Sequence, residues 1–274
     1  MKIFVMTDME GVAGIINLRD WCEPGGVYYE KGKRLLTAEV NACIDGLAAG
    51  GAEEMLVHDA HGAGGIEPEL LDERAMLLRG HWSDPWPSKL DESFDALVFV
   101  GQHAKAGTPY SHITHTQNLD YIDFSINDIS VGEYGQWALC AMERKVPTIF
   151  ASGEKALCAE AEQLTPGVVT VSVKEGIYPD GLDDYTPEEY GKAKLGAIHL
   201  APARARTLIR EGALRAMTTL KGNPAVFRYP DIHPPYTQRV KLRGKGDTPA
   251  RETVQKHPSS ISSLLDMDWG KNSG

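Results

Sequence analysis

The sequence predicts an α/β protein: a mostly parallel sheet flanked by helices, followed by a smaller C-terminal α+β subdomain. Three observations carry that prediction. Short apolar runs such as residues 3–6 and 96–100 have the length and composition of strands buried on both faces. Segments with the apolar spacing of one helical face lie between them. The runs also stop at acidic or imidazole side chains, as expected where the strand ends of a parallel sheet open into a crevice.

Taken in order, residues 2–7 read as a strand entering the acidic turn Asp8-Met9-Glu10-Gly11. Residues 28–49 place Leu36, Val40, Cys43, Ile44 and Leu47 on one helical face, and Gly50-Gly51 closes the helix. Residues 55–57 form the next strand and end in His58-Asp59-Ala60-His61. A crossover of that length implies parallel pairing. Residues 96–100 lead into Gly101-Gln102-His103, and Tyr134, Trp137, Ala138 and Ala141 share a helical face. Residues 148–151 and 168–173 read as strands on either side of a helix over 155–164. The Gly-, Pro- and Tyr-rich stretch 176–194 reads as a surface connection, which divides a first domain (1–175), the one that carries the polar strand ends, from a subdomain (176–274) serving assembly or the cleft. Within the latter, 201–220 is expected to be a helix, 225–229 and 239–242 strand-like, and the final Gly-Lys-Asn-Ser-Gly a frayed end.

The chain has 274 residues, 42% hydrophobic and 24% charged, so it carries ample material for a core. Its formal charge of -10 disfavours nucleic acid as a partner. No stretch approaches the ~20 apolar residues of a membrane span, and the apolar run at residues 3–6 is too short for a signal-peptide core. A cytoplasmic location is the expectation. Cys22, Cys43, Cys140 and Cys158 form no C-x-x-C and are expected to be reduced thiols.

Asp8 and Glu10, two residues apart in an extended chain, point to the same side, where two carboxylates repel unless a cation lies between them. A solvated turn is the alternative. Six of the nine histidines (His58, His61, His81, His103, His112 and His115) fall between residues 58 and 115. Carboxylate and imidazole donors without clustered thiols suit an open catalytic centre for zinc, manganese or cobalt, with one or two ions. Glu133, at the start of the Trp137 helix, is a further donor, or else it serves the helix dipole alone. Asp59 is a reserve ligand, expected to orient an imidazole by hydrogen bonding. The stretch Gly62-Ala63-Gly64-Gly65 lacks the P-loop ending and reads as a flexible substrate loop. Trp82 and Trp86 are either interface anchors or covers of the core.

Together, Thr7-Asp8-Met9-Glu10-Gly11, His58-Asp59-Ala60-His61, Gly101-Gln102-His103-Ala104, Thr114-His115-Thr116 and Asn127-Asp128 followed by Val131-Gly132-Glu133 resemble the D-aminopeptidase family of zinc metallopeptidases, of the dipeptide-transport operon type. The resemblance runs in order to about Ala203. It implies two Zn2+ ions per subunit, held by Asp8, Glu10, His61, His103 and Glu133 with Asp8 bridging. It also implies a catalytic His115 and a ring-shaped homo-oligomer, a decamer among the expected sizes, with sites facing an inner channel. Tyr110-Ser111-His112 departs from the family pattern by one added residue and an extra histidine. The reading is therefore a zinc aminopeptidase that releases N-terminal amino acids, D residues included, from short peptides or amides. The alternatives are a two-metal phosphoesterase, with Lys105 as its cation, and a non-catalytic peptide- or metal-binding component of an uptake system.

Overall fold

A computed structural model describes residues 1–80 and 85–272; His81 and Trp82 lie outside the described residues. The elements run in the order β1 (Lys2–Thr7), α1 (Leu18–Trp21), α2 (Tyr29–Ala49), β2 (Glu54–Asp59), β3 (Ala75–Leu78), β4 (Ala96–Gln102), β5 (Tyr121–Ile126) and β6 (Ile129–Ser130). They continue with α3 (Glu133–Glu143), β7 (Thr148–Glu154), α4 (Lys155–Leu164), β8 (Val169–Gly176), α5 (Pro187–Ala193), β9 (Ala197–His199), α6 (Pro202–Gly222), β10 (Tyr236–Leu242), β11 (Arg251–His257) and α7 (Ile261–Asn272).

A seven-stranded sheet has the order β3-β2-β1-β4-β7-β8-β9, parallel throughout except for the antiparallel edge strand β9. Alternation along β1 sends Ile3 and Val5 to one face, where they join α2 and α6 through Leu36, Val40, Ile209 and Ala213. Phe4 and Met6 go to the other face, where Tyr134 and Trp137 of α3 and Leu157 and Ala161 of α4 cover them. Fixing both faces fixes which end of each strand carries polar groups. Strand order reverses about β1, so the crevice opens between the carboxyl ends of β1 and β4.

A second sheet, antiparallel and ordered β11-β10-β5-β6, packs on α7 and on Leu139 and Cys140 of α3. It draws β5 and β6 from before residue 176 and β10 and β11 from after it. Helix α3 thus lies between the sheets, with Glu133 in its first turn.

Three local expectations are corrected. Residues 225–229 form no strand, because Pro224 starts a 3-10 turn (Pro224–Val226) and Pro230 follows; neither proline has an N–H to give a ladder. The 176–194 connection contains α5, started by Pro187 and by a capping box between Thr186 and Glu189, and it buries Tyr190. At the C-terminus, α7 includes Gly270, Lys271 and Asn272, which composition alone assigned to a frayed end.

Candidate metal centre

Two glycines bring the ends of β1 and β4 together. The Gly11 amide donates to the Gly101 carbonyl at 2.7 Å, and a Cβ on Gly11 would lie 2.0 Å from the Gln102 carbonyl oxygen. Gly101 has φ +78°, and a Cβ there would meet the Asp8 carbonyl oxygen at 2.1 Å. Only side-chain-free backbone can make this crossing. It sets Asp8 and Glu10 beside His103.

Asp8 Oδ2 lies 3.3 Å from His103 Nε2 and accepts from Gln102 Nε2 at 3.0 Å. Glu133 Oε1 is 3.6 Å from His103 Nε2 and 4.0 Å from His115 Nε2. The rings of His103 and His115 stack with centroids 4.1 Å apart. At the other end of the group, His61 Nε2 is 3.1 Å from Glu10 Oε1. Ligand atoms of Asp8, Glu10 and His103, of His103, His115 and Glu133, and of Glu10, Cys22 and His61 form three sets, each within 4.8 Å of one another. The structure therefore brings Asp8, Glu10, His61, His103, Glu133 and His115 into one constellation, although three different loops and the first turn of α3 carry them.

Electrostatics in this constellation is dominated by burial. Asp8 and Glu10 are 4% and 2% exposed. Burial and the neighbouring charge of Glu10 push the Asp8 carboxyl up to about 8. Burial also opposes the charge on Glu10 and on Glu133, yet His61 outweighs it at the former and His103 at the latter, and both stay below the usual carboxylate range. Burial disfavours the imidazolium form of His61, but Glu10 overcomes it and raises the group to about 9. His103 is raised in the same way by Asp8 and Glu133. Burial, followed by the charge of His103, lowers His115.

The hydrogen bonds choose the tautomers. His103 Nδ1 donates to the Ala104 carbonyl at 2.9 Å and His115 Nδ1 to the Ile113 carbonyl at 2.8 Å, which turns Nε2 of each ring toward carboxylates. His103 Nε2 and Glu10 Oε2 are buried with no hydrogen-bond partner. Carboxylates crowded in a buried space hold protons on these imidazoles unless another cation takes their place, and once Nε2 is deprotonated the donor set matches what a borderline divalent ion accepts. The residues fit a metal centre.

Several supporting residues had not been singled out. Glu154 is fully buried at the end of β7; its two carboxylate oxygens accept from the Ala104 amide at 2.7 Å and the His112 amide at 2.6 Å, so it grips the loop that carries His103 and His115. Lys174, buried at the end of β8, donates through Nζ to the Glu10 carbonyl. The Gln117 amide donates to Glu133 Oε1 at 2.8 Å. Charged residues inside otherwise apolar strand ends, as in Val-Ser-Val-Lys174 and Ser-Gly-Glu154, were the available signal.

Asp59 does not orient an imidazole as expected. It accepts from the Gly65 and Ile66 amides at 2.7 and 3.2 Å and pairs with Arg79 at 2.6 Å, tying down the glycine stretch. His112 stands apart: its Nε2 donates to the Ile16 carbonyl at 3.1 Å, and burial with the charge of Lys174 pushes it down to about 2. Trp86 packs against Trp137 with ring centroids 5.2 Å apart, covering the core.

Comparison with known proteins gives concordant findings. The Peptidase_M55 family, described as D-aminopeptidase, matches residues 1–257. The chain is 33% identical over 197 residues to the D-aminopeptidase of Bacillus subtilis (strain 168), covering 70% of each chain. It is also similar to a solved structure described as the Zn-dependent D-aminopeptidase DppA from Bacillus subtilis, a self-compartmentalizing protease. That match has a TM-score of 0.83 at 25% identity and covers 99% of this chain and 97% of the other.

Proposed function

The chain belongs to the D-aminopeptidase family, and from that premise we propose that it is a zinc-dependent aminopeptidase releasing N-terminal amino acids, D residues included, from short peptides or amides. The observation that carries this reading is the convergence of Asp8, Glu10, His61, His103 and Glu133 around buried, unpartnered donor atoms on Glu10 and His103. These five residues would hold the zinc, two ions per subunit. Bound zinc supplies Lewis-acid polarisation of the scissile carbonyl and makes water more acidic.

The protein's own groups do the rest. His115, kept neutral by burial and anchored through Nδ1, presents Nε2 toward Glu133, where it takes a proton from water and returns it to the leaving amine. Glu154 holds the loop that aims it. The carboxylates of the cleft and the net charge of -10 favour a cationic α-amino group on the substrate. Two cations beside the centre, Lys174 and Arg79, are already engaged with the Glu10 carbonyl and with Asp59, so a phosphoesterase would have to rely on Lys105 as its phosphate clamp.

The test couples metal analysis of the purified protein to a screen of L- and D-aminoacyl amides and dipeptides, each with and without an N-acetyl cap. Two zinc equivalents and hydrolysis confined to free amines are expected. Bound metal without amide hydrolysis would transfer the centre to phosphoester chemistry, and equal cleavage of capped and free peptides would make the protein a general amidase. The proposal extends to a cytoplasmic homo-oligomer, a ring, up to a decamer, enclosing the sites; four unpaired cysteines suit a reducing compartment. Light scattering that finds only a 29.9 kDa particle contradicts the ring.

A further inference from the structure

The four cysteines have different surroundings. Cys43 lies in the apolar core, where burial alone acts on its thiol. Cys22, 1% exposed, also has Glu10, Asp8 and Lys174 as electrostatic neighbours. It caps the C-terminus of the single-turn helix α1, whose N-cap Asn17 accepts from the Asp20 amide at 2.7 Å, so the turn is fixed at both ends. From there its Sγ comes within 4.8 Å of a ligand atom of Glu10 and one of His61. Its hydrogen bond is a long one to the Asn17 carbonyl, at 3.7 Å.

Two further observations point into this cluster. Glu10 Oε2 is buried without a partner. The 3.1 Å between His61 Nε2 and Glu10 Oε1 is close to the edge of a tetrahedron with bonds of about 2.0–2.1 Å. A sulfur bound to the same ion at about 2.3 Å would lie about 3.6 Å from each of those two atoms, so the thiol, now within 4.8 Å of a ligand atom of each residue, reaches that position by a shift of about 1 Å at most.

Building on the metal centre proposed above, we infer that Cys22 is a thiolate donor to the ion held by Glu10 and His61. On binding, the S–H bond breaks, its proton passes to solvent, and a sulfur–metal bond forms with no change of oxidation state. The two metal positions then differ in kind. The Glu10, Cys22 and His61 position offers oxygen, sulfur and nitrogen and selects zinc or cobalt(II); the His103 and Glu133 position offers only nitrogen and oxygen and accepts manganese as well.

The experiment uses the full-length protein reconstituted with Co2+ and, separately, with Zn2+. A sulfur-to-cobalt charge-transfer band in the near ultraviolet is expected in the wild type. Cys22→Ser should abolish it while the visible d–d bands remain, and should weaken metal affinity at that position by about 10–100-fold or more. X-ray absorption of the zinc-loaded wild type should resolve one scatterer at about 2.3 Å beside the shell at about 2.0–2.1 Å, a measurement independent of whether the variant folds. Fully loaded wild type with neither the band nor the 2.3 Å scatterer overturns the role of Cys22 alone. A folded protein that takes up no cobalt or zinc overturns the metal centre itself.

Discussion

The seven-stranded and four-stranded sheets answer opposite demands. At its carboxyl end the first buries Asp8, Glu10, His103, Glu154 and Lys174, groups that cost stability unless partners or a cation compensate them. The second buries Phe124, Ile126 and Val240 against Leu264 and Leu265 of α7, and turns Arg239, Lys241 and Glu252 to water. One region stores chemistry at the expense of stability, and the other contributes stability without chemistry. Substitutions in the two should therefore fail in different ways.

The largest expected effect tests the first region. His115→Ala should lower turnover by roughly 10²–10⁴-fold while metal content, read by mass spectrometry, stays nearly intact. His112→Ala, whose ring is outside the constellation, should cost far less turnover. Loss of one metal equivalent in His115→Ala would instead make it a ligand, which its place beside His103 and Glu133 also permits. The mirror case is Leu264→Ala in the second sheet's core, fully buried, which should lose about 2–5 kcal/mol in denaturant titration with unchanged kcat per folded molecule.

A smaller effect comes from Glu39 on α2, 1% exposed, which accepts from the Ala13 amide at 3.0 Å. Burial raises its carboxyl to about 7. The folded state therefore holds this proton at pH values where the unfolded chain has released it, and stability falls as pH rises from about 4.5 to 7. Glu39→Gln should remove that fall, gaining roughly 1–3 kcal/mol at pH 8 and little at pH 4, measured by denaturation at both values. Smallest is Thr186→Ala at the capping box of α5, expected to cost about 0.5–2 kcal/mol with metal content and kcat unchanged.

Legibility in the sequence followed the same divide. The core strands β1, β2, β4 and β7 carry short apolar runs, β8 alternates Val with Thr and Ser, and α2 has an apolar face closed by Gly50-Gly51, so local pattern suffices to find them. The edge strands β3 and β9 are three or four residues long and only half-buried, β5 pairs with β10 more than a hundred positions away, which no local window contains, and β11 is a largely polar, exposed edge strand laid against β10. At the candidate metal centre, Asp8, Glu10, His61 and His103 were legible because each closes an apolar run. Glu154 and Lys174 were not, because what makes them significant is burial against distant backbone. Gly11 and Gly101 carried the clearest missed signal, since a crossing of two main chains shows in a sequence only as two unexplained glycines.

The bond from Lys174 to the carbonyl of Glu10 joins residues 164 positions apart. A chain made on the ribosome emerges N-terminus first, so Asp8 and Glu10 leave the exit tunnel long before the strand that steadies them. A nascent chain halted before residue 174 has every carboxylate and imidazole of the constellation and lacks the cation that holds one of its walls. The supports of the constellation are therefore complete only once β8 has been translated and paired with β7.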